Sequence, residues 1–590
     1  MRKMIENIDY PSDLKRYALA DLKVLAKEIR SLLITKSSLC GGHLASNLGV
    51  VELTIALHYV FNAPIDKIIF DVSHQCYTHK ILTGRKKAFV DDKMYYSISG
   101  FTNPDESEYD LFNIGHTSTS ISLACGYAKS RDLLNQNYNV IAVIGDSALD
   151  GGESFEALNC CSEIDGGLIV VINDNQMSIP ENHGYLSKHL NELYLSNGEL
   201  KNNYFKCLGF EYYLVDDAHD IFKLVSIFSK IKDLNKKIVI HCRTKKGKGY
   251  LYAENNPEKW HHAHPFDIKT GIFNKSSIVP KENYGSIIGD YLISKIKINK
   301  KIIAMTASVP ACFGFKKEYR EIAGSNFLDV GISEQNMICM AAAMAKNGCK
   351  PILVTESSFY QRAYDQIEQE LNLNSCPAVL LIAFSGIYGH NDNTHIGIYD
   401  ISLFSNLKNI IYLSPSNMED YIACVDWAVE QFLKPVMIRI PWNGVKHISC
   451  ARMHDFFVTE YSIIKKGRDV AIFGVGSFFQ LGEQVYDSLK VNFNLEATLI
   501  DPIILSSIDE KTLNNLKNNH SIIVVIEDGV KIGGFGSKIA QFYSDSNIKV
   551  LTFGFNDEFP SFFDREQIMI KNQLTVSTIV STILKKMNDN

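Results

Sequence analysis

The chain has 590 residues, 46% of them hydrophobic and 21% charged, with a formal net charge of −6. That length implies several packed domains of roughly 100–200 residues each, and the mildly acidic balance excludes a broad basic footprint for nucleic acid. No run of about 18 apolar residues occurs, so the sequence offers no membrane-spanning helix.

The first 29 residues, MRKMIENIDYPSDLKRYALADLKVLAKEI, move directly into a charged amphipathic helix and lack the apolar stretch of a signal peptide. The 13 cysteines are scattered, with one adjacent pair, Cys160–Cys161, and no CxxC. In a chain this long they read as reduced thiols of a cytoplasmic protein, not as a disulfide framework.

Short apolar runs then alternate with helix-length patterns: VIAVIGD (140–146), LIVVIND (168–174), KIVIHC (237–242), PAVLLIAF (377–384), DVAIFGVG (469–476) and SIIVVIED (521–528). Continuous apolar runs spaced by helices predict βαβ units and largely parallel sheets buried on both faces. Polar, Gly- and Pro-punctuated stretches near 270–285 and 443–465 mark two boundaries. The expectation is an α/β chain of three domains, about 1–275, 280–450 and 455–590, each a largely parallel sheet flanked by helices.

The chemistry is written most clearly at GDSALDGGESFEALN, which begins at Gly145. The run before it delivers Gly145 and Asp146 to the carboxyl end of a strand, the usual ligand position in open parallel sheets. The next strand ends in NDNQMS, which puts Asn175 29 residues after Asp146. One crossover helix fits that spacing, so both side chains reach one point. A carboxylate and an amide oxygen suit a hard cation such as Mg2+. Gly151-Gly152 lets backbone approach diphosphate oxygens, and the helix that follows offers N–H donors to an anion. A bare Gly-Asp pair is a common turn. Gly-Asp, then Gly-Gly, then NDN at crossover spacing is far more specific.

That arrangement is the one found in thiamine-diphosphate enzymes, and the chain resembles the 1-deoxy-D-xylulose-5-phosphate synthase family, which is transketolase-like. In the first expected domain the resemblance is carried by GGHLASNLGVVELTIALHYVFN, DVSHQCYTHKILTGR, ESEYDLFNIGHTSTSIS and TKKGKGY. The second contributes FLDVGISEQNM, SSFYQRAYDQ and NDNTHIGIYDIS, and the third EDGVKIGGFGSKIA and FGFNDEF. The resemblance implies a transketolase-like fold with a diphosphate-binding, a pyrimidine-binding and a C-terminal domain. It implies thiamine diphosphate and Mg2+ as cofactors, pyruvate and an aldehyde as substrates, and a homodimer. The family product is a precursor in isoprenoid and thiamine biosynthesis.

Residue roles follow from the same motifs. Asp146, Asn175 and Met177 would hold the metal. His74, Gly115, His116, Ser118, Gly145, Ser147, Ala148 and Lys246 would line the cofactor, and Phe359 would stack on its pyrimidine. Glu334, in GISEQN, would hydrogen-bond the aminopyrimidine and help activate the cofactor. His43 and His261 would meet the pyruvate carboxylate, with His262 and His264 as neighbours of His261. His395 would face the acceptor, alongside Arg362, Asp365, Asn391 and Asp392.

The chain departs from the family pattern in places. Ser147 stands where Gly is usual, a change expected to cost some cofactor fit. The segment between ENHGYLSKHL and NYFKCLGFEYY is short for the family. The family holds the acceptor phosphate with two arginines. Phe384 or Ser385 occupies one of those positions and Trp442 the other, while Glu356 replaces a motif tyrosine and Asn391 an aspartate. Bidentate arginine is the strongest side-chain device for phosphate, and losing two contacts of ~1.5–3 kcal/mol each weakens it severely. Arg362 and Arg439 remain as cations able to compensate. The expectation is decarboxylative condensation of pyruvate with an aldehyde that need not be phosphorylated. Two-carbon transfer without decarboxylation and a non-catalytic binding paralogue are the alternatives.

Overall fold

The apolar runs fold as parallel strands. The computed structural model describes residues 4–274, 282–387, 392–442, 444–559 and 564–589. The chain divides into two compact units, Met1–Val279 with Gly331–Ser333, and Pro280–Val330 with Glu334–Asn590.

The first unit is built on β1 (Lys67–Phe70), β2 (Val140–Gly145), β3 (Leu168–Asp174), β4 (Glu211–Val215) and β5 (Lys237–Arg243). Their order is β1-β2-β3-β5-β4, all parallel. Both faces are buried, as the unbroken apolar runs require. Ile141 and Val143 of β2 enter one core cluster, while Val140, Ala142 and Ile144 enter the cluster on the other face. With no polar face left, Gly145 and Asp146 emerge only at the carboxyl edge.

The second unit carries two sheets. One contains β6 (Ile302–Thr306), β7 (Phe327–Asp329), β8 (Lys350–Glu356), β9 (Val379–Ala383), β10 (Ile411–Leu413) and β11 (Val436–Arg439), in the order β10-β11-β9-β8-β6-β7 and all parallel. The other contains β12 (Ser462–Lys465), β13 (Asp469–Gly474), β14 (Thr498–Asp501), β15 (His520–Val530) and β16 (Lys549–Phe555), in the order β12-β14-β13-β15-β16. Only β12 runs antiparallel. The two sheets share one core, in which Leu353, Leu380 and Met437 join Phe473, Ile500 and Val525. That shared core is why the second and third expected domains form a single unit. No described helix is long and apolar enough to cross a membrane.

A buried polar chain braces the first unit. His58 Nε2 lies 2.9 Å from His79 Nδ1, and His79 Nε2 lies 2.7 Å from Asp110 Oδ1, which also accepts from Arg85 Nη2 at 2.9 Å. Burial holds both imidazoles below the usual histidine range, opposed at His79 by Asp110. Asp110 is itself buried, yet His79 and Arg85 keep it below the usual carboxylate range. The depressed histidines contribute stability that is present above their unfolded pKa of about 6.5 and lost as pH falls below it. Asp110 acts with the same sign at lower pH. Thermal unfolding should therefore show the melting temperature falling between pH 7 and pH 5, with a shallower fall in His58→Leu. An unchanged slope in that variant would count against this network as the source.

Candidate active site

In the first unit three loops bring a cluster of side chains together. Gly42 and Ala263 exchange backbone hydrogen bonds of 2.9 and 2.8 Å, and Ala45 N donates to Trp260 O at 3.0 Å. This zips the GGH segment to the Trp260–Ala263 segment. Gly42 sits at φ +116, and a Cβ there would stand 2.8 Å from Tyr77 Oη, so only glycine allows the approach. The outcome is a cluster of imidazoles. The His43 ring centroid lies 5.3 Å from His74, 5.5 Å from His261 and 4.8 Å from His262. His264 is set further out, 6.4 Å from His262.

His74 is delivered by a strained turn. Val72 and Ser73 both adopt left-handed φ, +58 and +66, at a cost of order 1–3 kcal/mol each. Surrounding bonds hold the turn. Asp71 accepts from Ser118 N and Ser120 N at 2.8 and 3.0 Å, and Ser73 Oγ donates to Ile114 O at 2.7 Å. Asn47, fully buried, donates to the carbonyls of both His43 (2.6 Å) and His74 (2.8 Å) and accepts from Tyr77 N. Asn47 and Asp71 were not singled out from sequence. Both lie inside the quoted motifs, but an Asn or Asp that bonds only backbone leaves no chemical signature there.

The metal motif lies at the ends of β2 and β3. Asp146 is 4% exposed, and burial, then the charge of the hydrogen-bonded Asp174 beside it, pushes its carboxyl well above the usual range. Asp174 is also buried but stays ionised, held by His241 Nε2 at 2.8 Å and Arg243 Nη1 at 2.6 Å. Ser147 does not weaken the turn. Its backbone is ordinary right-handed (φ −72, ψ −33), and its Oγ donates at 2.5 Å to Asn182 Oδ1, whose Nδ2 donates at 2.8 Å to Asp146 Oδ2. Asn182 is a further residue that sequence reasoning missed. Asn175 Oδ1 accepts from Met177 N at 3.1 Å. Among the described residues no group of three or more His, Cys, Asp and Glu forms a metal cage, so a cation here would be met by one carboxylate, an amide oxygen and backbone carbonyls.

An anion pocket adjoins it. Lys246 is 5% exposed, has no carboxylate within ion-pair distance among the described residues, and donates to Ser178 O and, at 3.1 Å, to His261 Nδ1. Burial lowers it to about 8 despite the nearby Asp146. Gly145 and the buried Gly115 and Ala148 supply backbone, with His116 half-buried beside Gly115. Ser118 Oγ donates to Ala148 O at 2.8 Å, and a Cβ on Gly151 would come within 2.1 Å of that Oγ. A buried cation beside a buried, over-raised carboxyl fits a metal-bound diphosphate, in which each finds its opposite charge.

The second unit holds the other expected residues at the carboxyl ends of β7, β8 and β9. Glu334 starts the helix Glu334–Lys346, is 4% exposed, and keeps Oε2 without a hydrogen-bond partner among the described residues. Arg362 Nη1 stands 3.8 Å away. Burial raises this carboxyl above its usual range in spite of the guanidinium. Phe359 packs edge-on to His395 at 5.6 Å. His395 Nδ1 lies 3.3 Å from Asp392 Oδ1. Burial opposes its charge, but Asp392 and Glu356 raise it above the ordinary range. Asp365 is exposed, apart from this buried group, and Asn391 lies outside the described residues.

The departures from the family pattern form a structure of their own. Phe384 and Trp442 stack at 4.6 Å and 16°. Glu356 is buried, and burial lifts it to about 7. Arg439, expected as a compensating cation, is not free to serve. It donates to Asp400 Oδ2 at 2.9 Å and bonds Asp528, and is 2% exposed.

Three family models match the chain: 1-deoxy-D-xylulose-5-phosphate synthase over residues 5–202, the transketolase pyrimidine-binding domain over 282–446 and the transketolase C-terminal domain over 460–579. The 1-deoxy-D-xylulose-5-phosphate synthase of Clostridium acetobutylicum is 40% identical, with 95% of this chain and 96% of that one covered. The protein of the same name from Caldanaerobacter subterraneus subsp. tengcongensis is 36% identical, with 99% of each covered. A transketolase structure from Campylobacter jejuni is 15% identical, covering 96% of this chain and 99% of that one, with a TM-score of 0.43.

Replacing Lys246 by Met should raise the dissociation constant for thiamine diphosphate about 10- to 100-fold, the size of one charge-assisted bond. Asp146→Asn should abolish the Mg2+ dependence of that binding. Calorimetric titration of both variants checks this, and wild-type affinity in either would discard the site.

Proposed function

The chain belongs to the 1-deoxy-D-xylulose-5-phosphate synthase family, and we propose that it condenses pyruvate decarboxylatively with an aldehyde, using thiamine diphosphate bound through Mg2+. The relatives' name describes the product 1-deoxy-D-xylulose 5-phosphate, for which the aldehyde is glyceraldehyde 3-phosphate. The observation that carries the reading is the Asp146–Lys246 pocket, where a buried carboxyl crowded by Asp174 and a buried ammonium with no carboxylate within ion-pair distance among the described residues suit the charges of a metal diphosphate.

When bound, the cofactor supplies the electron sink that lets a carboxyl group depart as carbon dioxide. The chain supplies position and protons. Asp146, Asn175 and Met177 would hold the cation. Lys246, Ser118, His116 and the backbone of Gly115, Gly145, Ser147 and Ala148 would hold the diphosphate side. Glu334, buried, raised above the usual carboxylate range and with Oε2 lacking a hydrogen-bond partner among the described residues, would hydrogen-bond a ring nitrogen. Phe359 gives that ring a face. The Lys246 ammonium donates to Nδ1 of His261, and His261 with His43 would meet the pyruvate carboxylate. His395 would face the acceptor together with Arg362 and Asp392, and the sequence motifs add Asp365, which is exposed, and Asn391, which lies outside the described residues. The domain division at 1–275, 280–450 and 455–590, a homodimer and a cytoplasmic setting belong to the same reading. All 13 cysteines are unpaired, which supports the last.

Carbon dioxide release from pyruvate should require thiamine diphosphate and Mg2+, and Glu334→Gln should slow it about 10²- to 10⁴-fold, the range of a lost proton-transfer group. A Glu334→Gln rate near wild type would remove Glu334 from its role. Ketose consumption without carbon dioxide would replace the reaction itself.

A further inference from the structure

The carboxyl edge of the six-stranded sheet is unusual in what it leaves unsatisfied. Glu356 ends β8 and is the register partner of Ala383, the last residue of β9, while Arg439 at the end of β11 pairs with Ile382. Glu356, Ser385 and Trp442 therefore stand at the same edge of three adjacent strands, the position at which open parallel sheets bind ligands. Among the described residues Glu356 Oε2, Ser385 Oγ and Trp442 Nε1 are buried without a hydrogen-bond partner. Glu356 and Ser385 are 6% and 2% exposed. An unsatisfied buried polar atom is costly, so a ligand that satisfies these three is favoured.

The charge at this edge argues against an anionic ligand. Its two guanidiniums are committed, Arg439 to Asp400 and Asp528, and Arg362 beside Glu334. His395 is paired with Asp392. Phe384, with φ +54, breaks β9 and lays its ring on Trp442, so the wall next to Ser385 is a neutral aromatic stack. Glu356 faces the Asp392 and His395 charges. A phosphate dianion would meet carboxyls and rings here, with no uncommitted guanidinium among the described residues of this edge. A hydroxyl meets groups that both donate and accept: the Ser385 hydroxyl, and a Glu356 carboxyl that burial lifts to about 7.

We propose that Glu356 and Ser385 are specificity-determining residues that hydrogen-bond the hydroxyl end of an uncharged hydroxyaldehyde, so that the second substrate of this enzyme is not a phosphate ester. The inference rests on the condensation reaction proposed above, and names the acceptor class of that same site.

The test is steady-state carbon dioxide release by the full chain with thiamine diphosphate, Mg2+ and pyruvate. The acceptors are glyceraldehyde, glyceraldehyde 3-phosphate and propanal. Glyceraldehyde should exceed its phosphate in kcat/KM by at least tenfold. In Glu356→Gln the ratio of kcat/KM for glyceraldehyde over propanal should fall about tenfold, and in Ser385→Ala it should fall in the same direction. A kcat/KM for glyceraldehyde 3-phosphate equal to or above that for glyceraldehyde overturns the proposal, and that comparison needs only the wild-type chain. An unchanged glyceraldehyde-to-propanal ratio in both variants also overturns it. Carbon dioxide released with no acceptor preference overturns the acceptor class alone. No release with any aldehyde overturns the reaction and this inference together.

Discussion

Two carboxyls buried side by side set the terms for the first unit. Asp146 and Asp174 leave adjacent parallel strands at one edge, because β2 and β3 pair in register with both faces covered by apolar side chains. Two anions cannot share a dry site. The chain resolves this unequally. Asp174 has His241 and Arg243, while Asp146 has the neutral Asn182 amide and the backbone N–H groups of Ser147 and Gln176, and lies within the field of Lys246. A divalent cation would relieve the remaining imbalance, and a diphosphate bound to it would answer the buried lysine. The Asn182 and backbone hydrogen bonds keep Asp146 aimed.

The histidine cluster depends on backbone, not on side-chain packing. Its imidazoles are carried by separate loops, one of them in a conformation that costs energy, the left-handed Val72-Ser73, and one that needs the φ > 0 of Gly41-Gly42. Such loops stay in place only when other bonds over-determine them. Asn47 does this directly, by tying the carbonyls of His43 and His74 to one amide. The His58–His79–Asp110 chain does it indirectly, by fixing the helix Tyr77–Lys80 that follows the His74 turn.

The second unit uses buried charge in two ways. Arg439, Asp400 and Asp528 form a closed ionic group joining β11 to β15, which contributes to the seam between the two sheets that share a core. Partners are complete there, so the group is structural. At the adjoining strand ends the charges are incomplete. Glu334 and Glu356 each retain an oxygen without a partner among the described residues, and burial raises both. Groups of that kind act on whatever enters, as proton holders or as hydrogen-bond partners.

Much of this was legible in the amino-acid sequence, and for a physical reason. A strand buried on both faces must be continuously apolar, so β2, β3, β5, β9, β13 and β15 could be marked to within a few residues. Gly-Asp and NDN sit where such strands end, so the cofactor motif was legible as well. What the linear order could not show was how polar groups are shared between distant segments. Arg439 reads as a spare cation until Asp400 and Asp528 are seen to consume it, and Ser147 reads as a defect until Asn182 meets it. Phe384 and Trp442 read as two separate losses, yet they stack into one neutral wall. Strand identity follows from local periodicity, whereas the free or committed state of a charge depends on contacts between residues far apart in the chain, and those only the tertiary structure decided.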